Sequence, residues 1–138
     1  MPTTSSVKGG ITGLNKVLRK LPKEANDELR AASADIARDV AADARNRAER
    51  LGGVARHVAP SIKDMRDRVP KIRLGGSGYP MAFGAEYGGQ RRPTTRQFQP
   101  FRGSGQGAGY FLWRTVHDQN ARINDRYSEA LLKALKAL

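Results

Sequence analysis

The residues of this chain that could do chemistry are two histidines, one isolated glutamate and a glycine-rich run, and none falls in a reactive pattern. His117 precedes Asp118, a pairing that could orient an imidazole as a general base. On a helix, however, adjacent side chains project about 100° apart, and no motif places a nucleophile beside them. His57 stands alone, and both histidines read as surface or capping residues. Glu86 is the only carboxylate between Asp67 and Asp118, so the middle of the chain lacks the paired carboxylates of general acid–base catalysis. The run Gly103-Ser104-Gly105-Gln106-Gly107-Ala108-Gly109 has the composition of a phosphate-cradling loop. It lacks the Gly-Lys-Ser/Thr ending of a P-loop and the βαβ context of a dinucleotide fingerprint, and reads as a flexible loop. With no cysteine there is no thiolate chemistry and no disulfide, and zinc would need His and carboxylate ligands that are scarce here. The expectation is a protein that is not an enzyme and holds no cofactor or metal.

The remaining chemistry is adhesive. Every aromatic residue follows position 78, and all but Tyr127 lie between Tyr79 and Trp113, in a segment crowded with glycine. Ordering so pliable a backbone costs entropy, so the segment keeps one shape only where its rings are covered. A neighbouring subunit could supply that cover, because aromatic and Arg side chains are enriched among interface hot spots. This makes Phe83, Glu86, Tyr87, Phe98, Phe101, Tyr110, Phe111 and Trp113 the candidate assembly interface.

The net charge of +12 is unevenly placed. Residues 52–114 carry +8, residues 1–21 carry +4 without an acid, residues 22–51 carry −1 and residues 115–138 carry +1. A basic middle suits a polyanionic neighbour or, equally, a solvated face that keeps the protein in solution. Lys63, Arg66, Arg68, Lys71 and Arg73 lie on one short unit, and Arg91, Arg92 and Arg96 on the loop Arg91-Arg92-Pro93-Thr94-Thr95-Arg96. These eight are the candidate contacts to DNA or to an acidic partner.

The elements that must position these residues follow from periodicity. Residues 1–10 are a polar arm with no apolar leader region, so the chain reads as soluble and unprocessed, without a membrane segment. Ile11, Leu14, Val17, Leu18 and Leu21 predict a short amphipathic helix stopped by Pro22. Over 22–51, Leu29, Ala32, Ile36, Val40, Ala44 and Leu51 recur at helical spacing, and Gly52-Gly53 ends the helix. On that helix Glu24, Glu28, Asp35, Asp39 and Asp43 share an acidic strip, either a solvated flank helped by pairs such as Asp43 with Arg47 or a docking edge for a neighbour's bases. Residues 61–74 predict two short strands, with Pro70 at an edge or turn. A last helix over about 115–137 carries the stripe Val116, Asn120, Ile123, Tyr127, Leu131, Ala134 and Leu138, which should pack against the long helix over 22–51. The fold class is α+β: a single domain over 11–138 in which a long N-terminal-half helix and a C-terminal helix pack on a small antiparallel sheet, with long Gly-rich aromatic loops.

This order of elements, with Ala82-Phe83-Gly84-Ala85-Glu86-Tyr87-Gly88-Gly89, Gln97-Phe98-Gln99-Pro100-Phe101 and Gly109-Tyr110-Phe111-Leu112-Trp113 before a terminal helix, resembles the small tail-component proteins of long-tailed phages. That family comprises neck, tail-completion or terminator, and head-to-tail connector subunits, and the resemblance spans roughly residues 20–137. The chain departs from the pattern in the Gly103–Gly109 loop, which separates Phe101 from the last helix. The resemblance implies a virion structural protein at the head–tail junction, assembled in the host cytoplasm. It implies a homo-oligomeric ring, a hexamer before a dodecamer, around a DNA passage, with head-closure or adaptor proteins and tail-tube or terminator proteins as neighbours. The alternative is a stand-alone basic nucleic-acid-binding protein, and a toxin-like basic enzyme or inhibitor has only size and charge in its favour.

Overall fold

The computed structural model describes residue 13, residues 16–89 and residues 109–138. The described chain is mostly helical with one two-stranded antiparallel sheet, in keeping with the α+β class. Its axis is α1 (Lys23–Leu51), rich in the strong helix formers Ala, Arg and Glu. Pro22 stands just before its first turn, where the missing N–H costs nothing, and its carbonyl accepts the Asn26 N–H at 2.9 Å. Gly52, at φ +71°, ends it, and the chain turns into α2 (Gly53–Val58) and a 3₁₀ turn (Ala59–Ser61). The sequence-predicted boundaries of α1 therefore hold within a residue. Leu51 falls outside the buried stripe at 44% exposure, because the helix end turns it to solvent.

The face of α1 that others pack on is alanine: Ala37, Ala41, Ala44 and Ala48 are all fully buried. Such a face lets neighbouring backbones approach closely, and two separate cores form along it. At the start of α1, Leu18, Leu21, Ala25 and Leu29 meet Ala134, with Tyr127, Ala130 and Leu131 packed against them. Leu18 and Leu21 belong to the first predicted helix, of which residues 16–18 are helical; Ile11 and Leu14 lie outside the described residues, as does the 1–10 arm. Toward the other end, Ala41, Ala44 and Ala48 meet Ala55, Val58, Ala59, Ile62, Ala82, Ala85 and Phe111.

The strands are β1 (Lys63–Met65) and β2 (Lys71–Arg73), paired Lys63 to Arg73, Asp64 to Ile72 and Met65 to Lys71. The hairpin rests on α1. Beyond it come α3 (Ala82–Tyr87), α4 (Leu112–Asp118) and α5 (Asn120–Leu135). The single helix expected from about Thr115 is thus two helices, beginning earlier at Leu112 and broken at Gln119 (φ −104°, ψ 11°). The break lets α4 start where residue 86 anchors it while α5 turns to run antiparallel along α1. The Gln119 amide donates to Asp43 at 2.6 Å, Arg126 pairs with Asp39 at 2.9 Å, and Ala134 reaches the start of α1. The C-terminal helix packs on α1 rather than on the sheet, touching the hairpin loop through the Tyr127 hydroxyl, which donates to the Arg68 carbonyl at 3.0 Å.

The acidic strip acquires a specific use from this packing. Asp39 and Asp43 dock the chain's own C-terminal helix, and Arg47 pairs with Asp118 at 2.8 Å instead of with Asp43. The hydrogen bond from Arg47, assisted by its charge, lowers the Asp118 pKa below the usual carboxylate value. Asp35 pairs within the helix with Arg38, and Glu24 and Glu28 are exposed.

Candidate assembly surface

Glu86 organises the aromatic segment from inside. It lies on α3, whose Ala82 and Ala85 face the core, and it is only 1% exposed. A buried carboxylate is costly unless hydrogen bonds replace its water. Here Oε1 accepts the backbone N–H groups of Tyr110 at 2.8 Å and Phe111 at 3.0 Å, and Oε2 accepts that of Trp113 at 3.0 Å. The Tyr110 N–H also reaches the Glu86 carbonyl at 2.8 Å. These donors open α4, where amides have no partner within the helix and the helix dipole favours an anion. One side chain therefore caps a helix that starts 26 residues further along the chain.

The approach requires glycine at 109. Its φ is +99°, and a Cβ there would stand 2.5 Å from Glu86 Oε1. With the junction closed, Phe111 is fully buried in the α1 core, and the Thr115 hydroxyl donates to the Phe111 carbonyl at 2.7 Å.

Outside this junction lies a ring of aromatics. The Trp113 indole N–H donates to the Tyr87 hydroxyl at 2.6 Å, and the Tyr87 ring stacks on Phe83 with centroids 6.5 Å apart and planes 11° from parallel. Phe83 is 63% exposed. The three rings border an apolar groove of ≈ 400 Å³, floored by Ile36, Ala37 and Val40 of α1 and walled by Pro70, Ile72 and Leu74 on one side and Leu112, Val116 and Ile123 on the other.

The eight candidate interface residues thus separate. Glu86 and Phe111 are interior, where their side chains hold the chain's own fold together. Tyr87, Tyr110 and Trp113 are half-buried, and Phe83 is exposed. Phe98 and Phe101 lie outside the described residues. Both ends of the 82–113 segment are covered within the single chain, through Ala82, Ala85, Glu86, Gly88, Gly109 and Phe111.

The candidate polyanion contacts separate as well. Lys63, Arg66, Lys71 and Arg73 are exposed on the hairpin. Arg68 serves the fold: its guanidinium donates to Asn26 at 2.8 Å, and its carbonyl accepts both the Ser33 and the Tyr127 hydroxyls. Burial, with the nearby Asp67 charge, raises the Tyr127 pKa above its ordinary value. Arg91, Arg92 and Arg96 lie outside the described residues.

His57 is exposed with its ring 6.0 Å from that of Tyr79, and His117 is exposed at the end of α4. Among the described residues no group of three or more His, Asp or Glu is placed to hold a metal ion, and no helix is long and apolar enough to cross a membrane. Sequence reasoning missed the inward turn of Glu86, for which the available signal was a lone acid between Ala85 and an aromatic run. It also missed the groove, whose floor residues Ile36 and Val40 read as ordinary core. Comparison with protein-family models, curated proteins and solved structures finds no match for this chain.

Proposed function

We propose that this chain is a structural subunit of a phage head-to-tail connector, a neck or tail-completion ring that joins the DNA-filled head to the tail and surrounds the DNA passage. The observation that carries the reading is the apolar groove bordered by Phe83, Tyr87 and Trp113, with Phe83 63% exposed in the single chain. Exposed aromatics beside an apolar recess are the composition of an interface core, where such residues act as anchors. The groove is walled by aliphatic side chains, which suit packing against protein. The resemblance of the 82–113 motifs to phage tail components gives the ring and the virion as the setting, with head-closure, adaptor, tail-tube or terminator proteins as neighbours.

The test is the mass of the purified protein in solution, by sedimentation or native mass spectrometry, with and without Phe83→Ala and Trp113→Ala. The reading expects a closed oligomer for the parent, a hexamer first, and a shift of each variant toward monomer. A parent that stays monomeric at all concentrations, or a Phe83→Ala ring as stable as the parent, contradicts it. The second reading, a stand-alone nucleic-acid-binding protein, is favoured by the exposed cations of the hairpin. It expects full DNA affinity from a monomer.

A further inference from the structure

We propose that the outward face of the β1–β2 hairpin is a sequence-independent binding strip for the phosphate backbone of duplex DNA. The register places the strip. Lys63 stands directly opposite Arg73, and Met65 opposite Lys71, so these four side chains share one face of the ribbon, while Asp64 and Ile72 share the other. Ile72 is half-buried against the core and lines the groove, which makes the Lys63–Arg73 face the outer one. Arg66, in the connecting turn, is exposed beside it.

Like charges directly opposite each other in a ladder are destabilising. A hairpin with only three residues per strand has little with which to offset Lys63 facing Arg73. Among the described residues neither Lys63 nor Arg73 has an ion-pair partner: of the hairpin's two acids, Asp64 projects from the other face, and Asp67 lies 3.9 Å from Lys71 and also accepts the Arg68 N–H. An external polyanion removes the repulsion.

The face also discriminates between polyanions. A protein partner's interface core would be depleted of charge and anchored by apolar side chains, whereas here the one apolar residue, Met65, is 37% exposed among four cations. Two lysines and two arginines with no aromatic or amide side chain among them suit phosphate contacts, which position DNA without reading its sequence. Opposed side chains lie about 5 Å apart across the ribbon and next-nearest ones about 7 Å apart along it, a spacing on which several phosphates of one duplex can be met together. That the polyanion is DNA rests on the connector reading, which supplies a duplex passing the ring; the location of the strip does not.

The experiment is fluorescence anisotropy of a labelled 30-base-pair duplex with the full-length protein over a salt series, with poly-glutamate as competitor and the protein's mass recorded in parallel. The parent is expected to bind with a log–log salt slope reflecting the cations engaged, about −0.9 for each phosphate neutralised. Lys63→Ala/Arg66→Ala/Lys71→Ala/Arg73→Ala should lose most of that slope and at least about tenfold in affinity at low salt. The milder Arg66→Gln/Arg73→Gln should lose about two slope increments. A control with the same charge removed elsewhere, Arg50→Ala/Arg122→Ala/Lys133→Ala/Lys136→Ala, should keep the parent slope.

A quadruple hairpin variant that binds like the parent, a control that loses as much, or poly-glutamate displacing the duplex at equal charge concentration overturns the proposal. Because mass is recorded on the same samples, a ring that ignores DNA rejects the strip alone. A monomer that binds DNA through the hairpin rejects the ring alone.

Discussion

Glu86 carries a carboxylate into the interior and meets three backbone amides there, whereas Lys63, Arg66, Lys71 and Arg73 carry four positive charges outward to a face where, among the described residues, only Lys71 is ion-paired. The two regions lie on the same side of α1 and border the same groove through Glu86 and Ile72. Their difference teaches how charge divides between fold and function in this chain. A buried ion exists only because the structure supplies its hydrogen bonds, so removing it harms the structure first. Exposed ions without partners contribute little to the fold, so removing them harms whatever they meet outside.

The comparison breaks most sharply at Glu86. Replacing it with Ala leaves the Tyr110, Phe111 and Trp113 amides facing a cavity, and the expected loss is about 3–5 kcal/mol of unfolding free energy in chemical denaturation. Glu86→Gln keeps one acceptor oxygen and should lose less. A Glu86→Ala protein as stable as the parent would show that the junction is held by packing of Phe111 alone.

A smaller effect is expected at the rim. Trp113→Phe keeps an aromatic side chain, though a smaller one, and removes the N–H that donates to Tyr87, which should lower stability by about 0.5–1.5 kcal/mol. Its near-ultraviolet spectrum reports whether the Phe83–Tyr87 stack persists.

The hairpin should be the least sensitive. The quadruple alanine variant is expected within about 0.5 kcal/mol of the parent, or slightly above it because the Lys63–Arg73 opposition is gone. What fastens the hairpin is Arg68 and Tyr127, and this sets an alkaline limit. The folded Tyr127 pKa is raised above the unfolded value, so its contribution is complete below the ordinary tyrosine pKa of about 10 and is lost as the pH rises through the folded value. A pH series of melting temperatures should show that loss in the parent and not in Tyr127→Phe.

Local rules made the scaffold legible in the sequence. Pro22 and Gly52 bound α1, alternation around Pro70 marks the strands, and the apolar spacing of 116–134 marks the C-terminal helical region. What was not legible is non-local. The Gln119 break carries a hydrogen bond to Asp43, 76 residues away, and the buried Glu86 is met by amides 24 to 27 residues away, neither of which leaves a period in the sequence. The sequence reading took the aromatic segment as an interface between subunits, whereas Glu86 and Phe111 of it are directed inward. Ala82 and Ala85 let α3 sit close to the core, Gly109 lets the chain reach the carboxylate, and Phe111 fills the space beyond. Composition alone cannot tell a ring that closes the subunit, such as Phe111, from one that stays outside it, such as Phe83.

The central claim is that Glu86 fastens the two ends of the aromatic segment within one chain and leaves the Phe83–Tyr87–Trp113 rim outside the junction. Amide hydrogen exchange on the protein in dilute solution, with its mass confirmed as that of a single chain, tests it directly. The account predicts that the Tyr110, Phe111 and Trp113 amides exchange as slowly as those of the buried middle of α1, and that all three become fast in Glu86→Ala while the α1 amides remain slower. Exchange of those three amides at unprotected loop rates in the single parent chain would contradict it.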